Sequence, residues 1–340
     1  MRRSSLRAVA ERAAVSAATV SRVLNGVDVP ISPETQQRVR RAAAEMGYQP
    51  HRLARALATG RTQAFALWAA NLRSAHYARV FYYLRQEIAR HGYDLIIGEA
   101  PPRGGDAFET SRLLSWPVDG ILAVDLPRGA IPGMEASLLH GKPFATMGAY
   151  VTPGADFVTV DFTQKVLEAM RHLHGAGGCR RIAYLVPDWF AWFRECRDAR
   201  LHGYESAVAE FGQEPEFVLT ADEKRASVGP VLKSYWERRR GPAERPDALF
   251  CFNDDMAIAA YRALRDLGLR VPDDVALIGC DGIEDTAYLD PQLTTIAQPL
   301  EEMCAMAWTF LDRRMQNPDL PLQEATLQPT LHIRGSSLRR

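Results

Sequence analysis

From residue 64 to residue 278 the chain alternates short, unbroken apolar runs with amphipathic stretches, and it does so twice. Residues 64–70 (AFALWAA), 95–97, 118–124 (VDGILAV) and 144–147 read as strands. Residues 80–89, 108–114 and a stretch ending at His140 read as helices between them, with Gly92 and Gly141 as stops. Near Asp161 the rhythm restarts. Helices are expected at 166–173, 201–211, 228–236 and 256–267, and strands at 182–186, 217–219, 249–252 and 275–278. Strand–helix alternation of this kind builds parallel sheets with helices on both faces, and strands covered on both faces carry continuous apolar runs. The expectation is an α/β core of two doubly wound parallel-sheet lobes.

The first sixty residues follow a different rule. Leu6, Val9, Ala10 and Ala13 recur at helical spacing behind Ser5, a candidate N-cap. The run breaks at Ala14-Val15. Ser16 then offers a second N-cap to residues 17–24, where Val20, Val23 and Leu24 form the apolar stripe. Ala17, Ala18, Ser21, Arg22 and Asn25 can face outward. Two short helices joined by a tight turn fit a helix-turn-helix, whose second helix would enter the DNA major groove. An αα-hairpin inside a larger helical domain is the plain alternative. Charge favours DNA: residues 1–60 hold ten Arg, no Lys and four acids, while the whole chain is neutral. Arginine suits phosphate and guanine. A third helix opens at Ser32-Pro33 and stops at Gly47, so three helices can close one core.

These residues carry a specific resemblance. Val9-Ala10-Glu11, Val15-Ser16 and Thr19-Val20-Ser21-Arg22-Val23-Leu24-Asn25-Gly26 resemble the headpiece of the lactose/galactose repressor (LacI) family. The likeness continues through Gly47-Tyr48-Gln49-Pro50 and Ala54-Arg55-Ala56-Leu57. It departs at Ala14, where the family often has Gly, and at His51, where Asn is usual. Further on, Asn253-Asp254-Asp255-Met256-Ala257, residues 268–275 (GLRVPDDV), Leu293-Thr294-Thr295-Ile296, Gln298-Pro299-Leu300 and Arg334-Gly335-Ser336 resemble the family's later motifs.

The resemblance implies a helix-turn-helix headpiece at 1–48, a hinge helix or linker at 49–60 and a periplasmic-binding-protein-like core at 61–340. The chain would cross between lobes three times, giving one lobe of residues 61–160 and 292–320 and another of 161–291 and 321–340. DNA contacts would come from Ser16, Ala17, Ala18, Thr19, Ser21, Arg22 and Asn25. Ala54 and Leu57 would lie in the minor groove, Leu57 as a wedge between base steps. The family's effector positions map to Arg200, Asn253 and Asp281, a set that suits the hydroxyls of a sugar. A strand-end cap for Asp281 and a solvated helix residue for Arg200 stay open from spacing alone. His76 and Tyr77 stand where the family has a different polar and aromatic run. Gln164 lies near the acidic crossover residue Asp161. Trp189 leads the aromatic cluster Trp189, Phe190, Trp192 and Phe193, read as a loop.

The expected partners are palindromic operator DNA, a small-molecule effector of carbohydrate type and a second copy of the chain. A homodimer follows from two half-sites each read by one short helix. Neither cofactor nor metal is expected: the five cysteines form no CxxC pair, and HExxH, Walker A and GxSxG are all missing. No apolar run is long enough for a bilayer and no secretory signal precedes the headpiece, so a cytoplasmic location is expected. A cytoplasmic sugar-binding or sugar-processing protein with an incidental helical N-terminus is the competing reading. It needs neither the basic headpiece nor Leu57.

Overall fold

The computed structural model describes residues 5–25, 30–48, 56, 60–69, 71–99, 116–125, 142–150, 154–239 and 241–339. The helices expected at 108–114 and before His140, and the hinge positions Ala54 and Leu57, lie outside the described residues.

The chain forms two compact units. The first runs up to Ala64 and includes Pro117–Asp119. It contains α1 (Leu6–Ala13), α2 (Ala17–Leu24) and α3 (Pro33–Glu45). Each start is capped as the sequence implies. Ser5 accepts from the Ala8 amide, Ser16 from Thr19 and Ser32 from Thr35, with Pro33 in the first turn of α3. Val9, Val20 and Val39, one from each helix, are fully buried together with Ala10, Ala13, Val23, Ala42 and Ala43. Arg38 ties α3 to the end of α1 by donating to the Ala13 carbonyl at 2.8 Å. The unit extends past residue 60: the Asp119 carboxylate accepts from the Thr62 amide, the Thr62 hydroxyl and the Gln63 amide.

The second unit holds both lobes. Its first sheet is built from β1 (Ala64–Ala69), β2 (Asp94–Glu99), β3 (Gly120–Val124), β4 (Phe144–Gly148), β5 (Asp156–Val160) and a late strand, β11 (Glu324–Leu327), in the order β11-β5-β4-β3-β1-β2. The second contains β6 (Ile182–Pro187), β7 (Glu216–Thr220), β8 (Ala248–Cys251), β9 (Ala276–Asp281), β10 (Thr294–Ala297) and β12 (Thr330–His332), in the order β12-β10-β9-β8-β6-β7. β1, β3, β4, β6, β8 and β9 are buried along their whole length, which is why they read as unbroken apolar runs. Cys251 and Cys280 are fully buried core residues.

Among the described residues the chain crosses between lobes three times, but two crossings fall later than expected. β10 pairs in parallel with β9 in the second sheet, so the chain stays in that lobe until after Ala297. Helix α10 (Leu300–Gln316) then packs on the first lobe, and β11 pairs with β5. Only β12 returns, antiparallel to β10. The boundaries drawn at 292 and 320 are corrected on that ground: Leu293-Thr294-Thr295 is apolar and β-branched and completes a sheet rather than linking two.

Among the helices of the second unit, α4 (Ala75–Arg90) begins five residues earlier than the apolar stripe alone suggests, because Ser74 caps it. α5 is Thr163–His174, α7 Ala199–Glu210, α8 Arg225–Glu237 and α9 Asp254–Asp266. The aromatic stretch expected as a loop instead forms the short helix α6 (Phe190–Glu195). No described helix is long and apolar enough to cross a membrane.

Candidate functional site

In a parallel α/β sheet, ligands collect where strands end and their helices begin. The C-terminal strand ends of both sheets carry polar side chains here, and several reach across from one lobe to the other.

Asp198 caps α7, accepting from the amides of Arg200 and Leu201 at 2.9 and 3.0 Å. The same carboxylate takes Arg200 Nη2 at 2.8 Å. Tyr150, two residues past β4 in the first lobe, donates its hydroxyl to Asp198 at 2.9 Å and accepts from Arg200 Nη2 at 2.6 Å. The guanidinium also lies 4.0 Å from the Phe252 ring centroid. All three polar side chains are buried. Burial alone would raise the pKa of the Asp198 carboxyl, but Arg200 outweighs it and holds the group below its usual range.

A second group forms around His76, in the first turn of α4. Its imidazole Nε2 is 3.5 Å from Asp125, which follows β3, and its Nδ1 is 3.9 Å from Asp281, which ends β9 in the other lobe. Burial pushes the pKa of His76 down; Asp281 and then Asp125 overcome this, and the net shift is upward. Burial raises the Asp281 carboxyl, against His76 and Arg200. Gln298 Nε2 donates to Asp281 Oδ1 at 3.0 Å. Asp281 sits at φ 112°, a backbone state costly for a non-glycine residue and concentrated at functional sites. Beneath it, Asp254 is fully buried, accepting from the Ile283 amide and the Thr295 hydroxyl.

The stretch after β1 adds three further bridges to the second lobe. Asn71 donates to Glu223 at 3.0 Å, Ser74 to Asp255 at 2.8 Å and Arg79 to the Gly282 carbonyl at 2.5 Å.

Arg200, Asp281, His76 and Tyr77 therefore share one inter-lobe region; the pKa of the Tyr77 phenol is raised by burial and by Asp125, Glu223 and Asp281. Asn253 is beside it, but its Oδ1 is committed to capping α9 through the Met256 amide. Trp189 packs edge-on to Phe252, 6.3 Å between centroids, next to Arg200's ring partner. Gln164 does not join the group: it is exposed on the first turn of α5. Sequence reasoning missed Asp125, Tyr150, Asp198 and Glu223. Asp125 was findable, because it directly follows the last apolar residue of β3.

In the first unit, Ser16 is used as a cap and bonds the Thr19 hydroxyl at 2.8 Å. Ser21 accepts from Asn25 at 3.1 Å. Ala17 is half-buried against the helical core and Ala18 is exposed. Arg12 and Arg41 are spent on Glu45. Arg7 and Arg22 are exposed and, among the described residues, have no hydrogen-bond or ion-pair partner.

Residues 5–51 match bacterial regulatory proteins of the lacI family, and residues 170–337 match the periplasmic binding protein-like domain. The chain is 33% identical over 353 residues to the HTH-type transcriptional regulator CelR of Thermobifida fusca, covering 98% of each. It is 30% identical over 345 residues to the HTH-type transcriptional repressor PurR of Aliivibrio fischeri (strain MJ11), covering 99% of each. Its fold is similar to a CelR–cellobiose complex (28% identity, TM-score 0.67, 98% of this chain and 100% of that one). It is also similar to the Lac repressor dimer bound to operator and the anti-inducer ONPF (24% identity, TM-score 0.83, 99% and 100%).

Proposed function

Because the chain belongs to the LacI family of bacterial transcriptional regulators, it is a DNA-binding regulator, and we propose that a carbohydrate seated between its two lobes controls it. The observation that carries this reading is the convergence of Tyr150, Asp198 and Arg200 with His76, Asp125 and Asp281 at strand ends of opposite sheets. Carboxylates and an amide carbonyl accept from hydroxyls, and Trp189, beside Phe252, adds an aromatic neighbour to the group. A ligand that spans both lobes binds one inter-lobe spacing better than another. That difference is the only free energy with which it can shift DNA affinity, and the coupling is reciprocal.

We read α2 as the helix that enters the major groove, with Arg22 as its base-reading side chain, and Ala54 and Leu57 as minor-groove contacts. The working form in this reading is a homodimer on a palindromic site. The exposed Ile96 and Ile97 of β2, the terminal strand of its sheet, and the exposed Tyr82 on α4 support a partner at that edge. The protein acts in the cytoplasm, where bacterial DNA lies. The core is read as a binder rather than an enzyme, in keeping with relatives that are themselves regulators.

The test is a DNA titration of the full chain on palindromic DNA, with and without a panel of sugars, repeated with Asp281→Ala. A sugar should shift DNA affinity in the wild type and not in the variant, since a buried acceptor for its hydroxyls is gone. Unchanged sugar affinity in Asp281→Ala refutes the site.

A further inference from the structure

The polar groups of the cleft are not balanced in charge. Arg200 is consumed by Asp198, Tyr150 and the Phe252 carbonyl. What remains is Asp125, Asp281 and Glu223 against His76 and Arg79, and the Arg79 guanidinium is turned to the Gly282 carbonyl. Glu223, met from the first lobe by Asn71 Nδ2 at 3.0 Å, is pushed up by burial and further by the Asp281 and Asp125 charges. A second observation points the same way. Gln298 is buried, and among the described residues its Oε1 has no hydrogen-bond partner. Its orientation is fixed, because turning the amide over would aim an oxygen at the Asp281 carboxylate. The unfilled atom beside Asp281 is therefore an acceptor waiting for a donor.

We infer that the cleft selects a carbohydrate bearing a protonated amine, its ammonium held by Asp281, Asp125 and Glu223 with Gln298 Oε1 as a further acceptor. This rests on the carbohydrate reading above and narrows it. A neutral hydroxyl supplies a donor but leaves the excess negative charge uncompensated. An ammonium supplies three donors and the charge together. A phosphorylated sugar fits worst. Its charge has the wrong sign, and the guanidinium it would need is already paired.

The experiment is calorimetry on the full chain with three matched pairs: glucosamine, galactosamine and mannosamine, each against its N-acetyl form, with glucose and glucose 6-phosphate as references. At least one amine should bind at least tenfold more tightly than its N-acetyl partner and than glucose. Glu223→Gln keeps an acceptor for Asn71, and it should reduce that preference at least tenfold. If Glu223→Gln does not fold, Asp125→Asn tests the same charge. An N-acetyl form, glucose or glucose 6-phosphate binding as tightly as the amines overturns the charge selection while leaving a carbohydrate effector in place. Failure of all three amines to bind overturns the inference as well. The response to glucose and the N-acetyl forms then decides the carbohydrate reading separately.

Discussion

Tyr150 and Asp198 join the two lobes of the core through one buried hydrogen bond of 2.9 Å. The same phenol oxygen accepts from Arg200, so a first-lobe hydroxyl completes a second-lobe ion pair. Tyr150→Phe deletes only the oxygen. A buried hydrogen bond to a charged group contributes about 1.5–3 kcal/mol, and the lobes should lose roughly that much of their mutual stabilisation. The measurement is the thermal midpoint of the core, which should fall, together with sugar affinity, which should change because the free spacing of the lobes changes. An unchanged midpoint would show that the bond contributes nothing net.

His76 makes the cleft sensitive to pH in a definite direction. Its folded pKa is raised above the ordinary 6.5, burial being outweighed by Asp281 and Asp125. The stabilisation it gives is therefore fully present below the unfolded value. It is lost as pH rises through the folded one. The thermal midpoint of the wild type should decline across that interval, and His76→Gln should flatten the decline. An equal slope in both proteins refutes the assignment.

Asp254 has the same direction of pH dependence, and as a carboxylate it puts its cost at neutral pH. Its folded pKa is raised well above 3.8, by burial first and then by the Asp281 charge. Its favourable contribution is confined to acid and disappears as pH rises through the folded pKa, so near neutrality the buried carboxylate is a cost. Asp254→Asn keeps an acceptor for Ile283 and a partner for Thr295. It should raise the midpoint at pH 7 to 8 and leave it nearly unchanged in mild acid. A fall at neutral pH would show that the charge itself is required.

The parts of the molecule legible in the sequence are those set by periodicity and capping. Ser5, Ser16 and Ser32 announce their helices because a hydroxyl before an apolar stripe has one obvious use. The fully buried strands announce themselves because nothing polar interrupts them. What escaped was tertiary. Nothing local distinguishes Tyr150 from any other tyrosine after a strand; only the second lobe, brought opposite it, gives its hydroxyl a partner. Asp198 was hidden for the opposite reason, since a carboxylate at a helix start already has a complete local explanation. The crossing points slipped because β10 is four residues long and carries no signal of which sheet it joins.

Ala14, the departure from the family's usual turn residue, sits at φ 52° and ψ 48°. This left-handed state costs an L-residue about 1–2 kcal/mol, partly offset by the lower unfolded-state entropy of Ala than Gly. Ala14→Gly should therefore stabilise the helical unit by a net of about 0.5 kcal/mol. The check is the midpoint of the headpiece transition in the full chain. A lower midpoint would mean that the alanine methyl contributes more than its backbone costs.

Arg22 and Arg7 should fail in different ways on DNA. Both are exposed and unpartnered among the described residues, while Arg12, Arg38 and Arg41 are tied down within the unit. Arg22 stands on α2, whose other outward residues are either small or bonded to one another: Ala17 and Ala18 carry no donor, and Ser21 is engaged by Asn25. In the proposed reading, direct readout by a bidentate contact therefore falls to Arg22. Arg22→Ala should cost about 1–3 kcal/mol on the specific site and relax preference at one base pair. Arg7 lies in the first turn of α1, the helix that crosses the backbone in this motif. Arg7→Ala should weaken specific and random DNA alike and reduce the slope of log affinity against log salt by about 1. Titrations at several salt concentrations on both DNAs separate the two. Uniform loss with a reduced salt slope in Arg22→Ala would assign that side chain to phosphate and leave α2 without a base-reading charge.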